Sequence, residues 1–228
     1  MDSTNTTLST ANLEPWQQDF IDYAIEKNVL QFGDFTLKSG RNSPYFFNAG
    51  RFDDGLSQKK LGQIYAKTLI DSGIEFDMIF GPAYKGITIA TATTYALSDQ
   101  YDRNVPYAYN RKEAKAHGEG GKLVGAQVKG NIVLVDDVVT AGTAIKETLA
   151  LLEQHPEAKL VAAVVLIDRQ EKLDGSTLSA MQALEKDYGI HMIAAIRFEQ
   201  IMAYIEGSEQ LRHHVERMAE YRKQYGVA

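Results

Sequence analysis

Two adjacent carboxylates, Asp136 and Asp137, stand between an aliphatic run and a small-residue turn in the segment Ile132-Val133-Leu134-Val135-Asp136-Asp137-Val138-Val139-Thr140-Ala141-Gly142-Thr143-Ala144. The run reads as a buried strand and the turn as the entry to a helix. Thr140, Gly142 and Thr143 let backbone amides converge at that helix N-terminus, where unpaired N–H groups and the helix dipole favour a phosphate. Successive side chains point to opposite sides of a strand, so Asp136 and Asp137 are not expected to share one proton. Sugar hydroxyls, or waters around a metal ion, suit them as partners. The alternative is a plain strand-to-helix turn in which one Asp caps the helix. Two rival phosphate motifs fail: Gly118-Glu119-Gly120-Gly121-Lys122-Leu123 has Leu where G-x-G-x-x-G needs its last Gly, and no Ser or Thr follows Gly121-Lys122.

A second chemical feature lies just upstream. Within 111–122, Arg111, Lys112, Lys115 and Lys122 oppose Glu113 and Glu119, a charge of +2 before His117 is counted. The stretch between Tyr109 and Asn131 is glycine-rich and poor in apolar residues, so it is expected to be a loop of about twenty residues, the kind that serves as a lid. A solvated mobile loop is the alternative.

These residues need a frame. Apolar residues at helical spacing from Trp16 to Ile25 predict an opening helix with Pro15 in its first turn. Aromatic segments broken by Gly33, Gly40 and Gly50 predict one or two short strands over 30–48. A helix is expected over 55–72. Short apolar runs follow at 77–80, 105–109, 131–135, 160–167 and 191–198, separated by helical stretches at 86–101, 142–155 and 176–187. Strands apolar on both faces and alternating with helices predict an α/β fold with a doubly wound parallel sheet. Ligands of such sheets bind beyond the carboxyl ends of the strands, where the turn after Asp137 lies.

The 228 residues carry a net charge of −6, 44% hydrophobic residues and no cysteine. The missing thiols exclude disulfides, thiolate metal sites and cysteine nucleophiles. The acidic balance argues against bulk binding to nucleic acid or to an anionic membrane surface. An anionic ligand therefore needs a local basic site, and 111–122 supplies one, leaving −8 on the remainder. Residues 1–13 have no basic start and no apolar stretch, so they read as a disordered tail and not a signal peptide. No apolar run approaches the length of a membrane span, and the cytoplasm is the expected location.

The segment 132–144 resembles the phosphoribosyl pyrophosphate (PRPP) motif of type I phosphoribosyltransferases. Further residues resemble the orotate phosphoribosyltransferases among them: 32–41 (FGDFTLKSGR), 43–48 (SPYFFN), 81–86 (GPAYKG), Arg111-Lys112-Glu113-Ala114-Lys115 and His117-Gly118. The likeness runs from about residue 15 onward. It implies one phosphoribosyltransferase domain over 14–228, with a small hood from about 14–50, joined by the C-terminal helices, and a core over about 55–200. It implies transfer of the phosphoribosyl group of PRPP to orotate, giving orotidine 5'-phosphate and pyrophosphate for pyrimidine synthesis.

The resemblance also assigns residues. PRPP contacts are implied for Lys38, Tyr84, Lys85, Arg111, Lys112, Lys115 and His117, and for Asp136, Asp137, Val138, Val139, Thr140, Ala141, Gly142, Thr143 and Ala144. Lys115, His117, Asp136 and Asp137 are the implied catalytic groups. Orotate is expected against Lys38, Phe46, Phe47, Thr140 and Arg169. Core packing is the alternative for the two Phe rings, and a surface loop position for Arg169. A cis peptide is expected at Ala83-Tyr84. Magnesium is implied as a cofactor held through substrate oxygens and water, with no protein metal ligands. The likeness further implies a homodimer in which the 110–122 loop reaches the neighbouring site, and no nucleic-acid or membrane partner. Two other functions keep the PRPP motif: transfer to a different nucleobase, which should lack the Lys38, Phe46 and Phe47 set, and a non-catalytic PRPP sensor, which should carry a DNA-binding domain or a degraded loop.

Overall fold

The computed structural model describes residues 13–37, 39–115 and 121–227, apart from the side chains of 114, 115 and 121. Lys38, His117, the Lys115 side chain and the first twelve residues of the expected tail lie outside that description.

Helix α1 (Pro15–Glu26) starts where expected, with Pro15 in the first turn and a reciprocal capping box between Glu14 and Gln17. Strands β1 (Leu30–Thr36) and β2 (Asn42–Phe47) pair antiparallel as a separate hairpin. Helix α2 (Gly55–Ser72) is capped by the Asp54 side chain accepting from the Ser57 N–H at 2.8 Å and is stopped by left-handed Gly73. Then follow β3 (Met78–Gly81), α3 (Lys85–Tyr101), β4 (Tyr107–Lys115), β5 (Gly121–Gly125), β6 (Gly130–Val138), α4 (Thr143–Leu152), β7 (Ala158–Asp168), α5 (Ala180–Tyr188), β8 (His191–Arg197), α6 (Phe198–Gly207) and α7 (Val215–Tyr225).

The main sheet runs β5-β4-β3-β6-β7-β8, all parallel except β5, which pairs antiparallel with β4. Along β6 the side chains divide strictly between two cores. Val133 and Val135 join one with α1, α2, α3, α6, α7 and the small hairpin, whereas Ile132 and Leu134 join the other with α4 and α5. This is why the strand reads as continuously apolar. Because α3 leaves β3 toward one face and α4 leaves β6 toward the other, the carboxyl ends of these neighbouring strands open a crevice.

Two expectations need correction. The segment between Tyr109 and Asn131 is not one loop: β4 runs through to Lys115, and Tyr109, Asn110 and Lys115 pair with Val124, Leu123 and Gly121, with an irregularity between Asn110 and Lys115. An edge hairpin needs little apolar sequence because it is stabilised by backbone bonds to its neighbour and leaves side chains in solvent. Helices α4 and α5 are also shorter than expected. Ser179 and Gln182 form the capping box that starts α5, so the residues before it are turn.

Candidate active site

The carboxyl ends of β4, β3, β6 and β7 lie side by side, and most of the predicted residues follow them. After β6 the chain makes a short turn into α4, whose N-cap is Gly142 in the left-handed region (φ 70°). The conformation favours glycine, and a Cβ there would also stand 2.9 Å from the Leu184 side chain, which would have to shift. Thr140, Ala141 and Thr143 are exposed, while Val138, Val139 and Ala144 are half-buried beside them. The turn thus presents backbone at the start of a helix, the arrangement that accepts a phosphate.

Asp136 folds its carboxylate back to accept the Asp137 N–H at 2.9 Å. Burial, and then the charge of Asp137, push the Asp136 carboxyl up to about 6. Strand alternation separates the two side-chain directions, but a short carboxylate that turns back to its own backbone stays within electrostatic reach of its neighbour. The Asp136 carbonyl accepts from the Tyr65 hydroxyl at 2.6 Å. Burial, with both aspartates, raises the Tyr65 pKa well above its ordinary value, which keeps that hydroxyl a donor.

Across the crevice, Gly81 and Gly86 bring the two ends of the 81–86 loop together. A Cβ on Gly86 would stand 2.8 Å from the Gly81 backbone and 2.9 Å from the Val135 carbonyl oxygen. The Ala83-Tyr84 peptide is cis, as expected. The Ala83 N–H is held by the Asn110 side chain at 2.9 Å. Tyr84 is exposed, and Lys85 reaches over to form an ion pair with Asp137. Arg111 is half-buried on β4, and Lys112 lies 3.4 Å from Glu147 of α4. The structure thus joins Lys85 to Asp137, next to Asp136, and links Lys112 to the helix that follows the turn.

Arg169 follows β7 and is no loose surface residue. Its Nε donates to Glu171 at 2.7 Å, and its Nη2 to Ser43 at 3.2 Å and to Tyr221 at 3.3 Å. Its Cζ lies 4.2 Å from the centre of the Tyr45 ring. Burial opposes its charge, and Tyr45, Glu171 and Tyr221 more than offset that cost, so the guanidinium pKa is raised. On β2, Phe46 stacks on Phe35 at 5.5 Å and Phe47 packs against the core, so packing accounts for part of both rings.

Tyr65, Asn110, Glu147, Ser43, Glu171 and Tyr221 support these groups and had no role in the sequence reading. Asn110 and Glu171 had a signal, each lying within two residues of a predicted arginine, and Ser43 stands in the 43–48 segment that carries the resemblance. Among the described residues, no group of three His, Asp or Glu could hold a metal ion. A cavity of about 380 Å³ between the small hairpin and α7 includes Ser43 and Tyr221 in its wall.

Residues 52–188 match the family model for the phosphoribosyl transferase domain. Orotate phosphoribosyltransferases of Enterobacter sp. (strain 638) and Salmonella typhi are 51% and 50% identical to the chain over 94% of its length and all of theirs. The crystal structure of orotate phosphoribosyltransferase from Francisella tularensis superposes with a TM-score of 0.83 at 40% identity, covering 92% of this chain and all of that one.

Proposed function

We infer the division of labour in the site from one premise, that the chain belongs to the orotate phosphoribosyltransferases. It transfers the phosphoribosyl group of PRPP to orotate, forming orotidine 5'-phosphate and pyrophosphate in pyrimidine synthesis. The observation that carries the assignment of groups is the meeting of Lys85 and Asp137 across the crevice, directly beside the turn that opens α4.

In this reading the backbone of 139–143 and the hydroxyls of Thr140 and Thr143 hold the 5-phosphate at the start of α4. Val138, Val139, Ala141, Gly142 and Ala144 shape that cradle. Asp136 and Asp137 accept from the ribose hydroxyls and lie near the positive charge that develops on the sugar. Tyr84, Lys85, Arg111, Lys112, Lys115 and His117 face the departing pyrophosphate, whose negative charge grows as the bond breaks. Binding of PRPP releases Lys85 from Asp137, which frees a cation for the pyrophosphate and a carboxylate for the ribose. Orotate lies against Lys38, Phe46, Phe47, Thr140 and Arg169. Its ring nitrogen attacks, so no side-chain nucleophile is needed, and catalysis consists of orientation and charge stabilisation.

Magnesium belongs to the same proposal. The acidic pair, one member of it tied to Lys85, suits an ion carried mainly by substrate oxygens and water, and such an ion neutralises pyrophosphate charge. We also assign the small hairpin, α1 and the C-terminal helices to a hood over a core of about 55–200. A homodimer in which the β4–β5 hairpin serves the neighbouring site, and a cytoplasmic location, complete the reading. Among the described residues no helix is long and apolar enough to cross a membrane.

The test follows the fall in orotate absorbance on adding PRPP and Mg²⁺, with adenine, hypoxanthine and uracil as competitors. Consumption of orotate unaffected by those bases is expected. A protein that leaves orotate unconsumed overturns the reading.

A further inference from the structure

We propose that Tyr221 and Glu171 are positioning residues that fix the direction in which Arg169 presents its remaining donors, so that the C-terminal helix α7 helps to set recognition of the base. The inference rests on the reading of Arg169 as an orotate contact. Three groups close a ring of hydrogen bonds. Glu171 Oε1 accepts from Arg169 Nε at 2.7 Å and from the Tyr221 hydroxyl at 2.8 Å, while the Tyr221 oxygen lies 3.3 Å from Arg169 Nη2. A hydroxyl has one proton, and here it goes to Glu171, leaving a lone pair for Nη2. Ser43 is arranged in the same way: its proton goes to the Tyr45 carbonyl at 2.7 Å, and its oxygen accepts from Nη2 at 3.2 Å.

The guanidinium is planar and its donors form a rigid fork. With its face laid on Tyr45 and its Nε and Nη2 tied, these bonds leave the two Nη1 hydrogens for a ligand. The single carboxylate of Glu171 stands between two guanidiniums, its Oε2 lying 3.3 Å from Arg41 Nη1, and all three side chains are mostly buried. Asp174 pairs with Arg41 Nη2 at 2.5 Å, so the two guanidiniums are balanced by two carboxylates, and a ligand meets the donors left on Arg169 rather than an excess of charge. Orotate, a flat monoanion, offers carboxylate and ring-carbonyl oxygens as acceptors for these charged donors.

Helix α7 is tied to this loop through the chain beyond it. Lys172 donates its N–H to the Tyr225 carbonyl and Val227 donates to the Gln170 carbonyl, both at 2.8 Å. Removing the Tyr221 hydroxyl leaves its ring contacts with Tyr45 and Tyr225 in place while freeing the guanidinium to turn. A contact that acts only on the base lowers affinity for the base alone.

The test measures KM for orotate, KM for PRPP and kcat in Tyr221→Phe, Glu171→Gln, Arg169→Lys and the double variant Tyr221→Phe/Arg169→Lys. Tyr221→Phe and Glu171→Gln are each expected to raise KM for orotate about tenfold, with kcat and KM for PRPP within about twofold. The double variant is expected to be no worse than Arg169→Lys alone, because Tyr221 acts through the guanidinium. An unchanged KM for orotate in Tyr221→Phe and Glu171→Gln overturns the proposal, as do equal rises for both substrates or losses that multiply in the double variant. An Arg169→Lys protein that keeps the parent KM for orotate, while the parent consumes orotate, overturns the Arg169 assignment and leaves the rest of the functional reading standing.

Discussion

At the residue scale, Asp136 shows what the site costs the fold. Free carboxylates titrate near 4, and burial beside Asp137 pushes this one up to about 6. Between those values the folded chain holds a proton that the unfolded chain has lost, so stability falls as pH rises from about 4 to about 6 and stays lower above that. Asp136→Asn keeps the acceptor for the Asp137 N–H and removes the charge. It is expected to gain stability over the parent, by on the order of 1 kcal/mol more at pH 8 than at pH 5, while losing PRPP turnover. Urea midpoints at the two pH values check this, and a gap that does not widen with pH sinks it. Both carboxylates were legible in the sequence because the strand, the acids and the turn are one continuous segment. The ring formed by Arg169, Glu171 and Tyr221 was not, since Tyr221 lies 52 residues from Arg169, and the packing of α7 on β2 together with backbone bonds between the chain ends at 170–172 and 225–227 brings them together.

At the element scale, the loop between β3 and α3 works because its ends nearly touch. Gly86→Ala forces a methyl against the Gly81 backbone, the Pro82 ring and the Val135 carbonyl oxygen, on the element that carries Lys85. It is expected to lower stability by about 1–3 kcal/mol and to raise KM for PRPP. Gly207→Ala, at the open end of α6 with no atom within 4 Å of the added methyl, is the contrasting control and is expected to be neutral or slightly stabilising. Urea denaturation of both variants decides the point, and equal effects would show that the close approach is unimportant. The parallel strands were readable from aliphatic runs because each buries both faces. The β4–β5 hairpin was not readable, since charged and glycine-rich residues there carry no period, and edge pairing with Val124 and Leu123 decides their conformation.

At the scale of the whole molecule, a net charge of −6 coexists with a basic stretch of +2 over 111–122. Exposed charges attract PRPP over a distance that shrinks from about 30 Å at 0.01 M salt to about 8 Å at 0.15 M. KM for PRPP is therefore expected to rise several-fold as KCl goes from about 0.01 to 0.15 M. KM for orotate should change less, because the Arg169 guanidinium is mostly enclosed. Steady-state kinetics across that range separates the two, and an equal response of both substrates would remove the assigned role of the basic stretch.

The bonds that close the small hairpin and α1 onto the sheet join distant parts of the chain. Gln17 donates to the Ala195 carbonyl across 178 residues, Gln200 to Gln17 across 183, and Arg169 to Ser43 across 126. The residues that line the crevice between β3 and β6, by contrast, all precede the end of α4. Connectivity therefore sets a sequence in time as the chain leaves the ribosome. The phosphate-holding half of the site can assemble while the last third of the protein is still being made, and the arginine arm finds its partners only when α7 arrives.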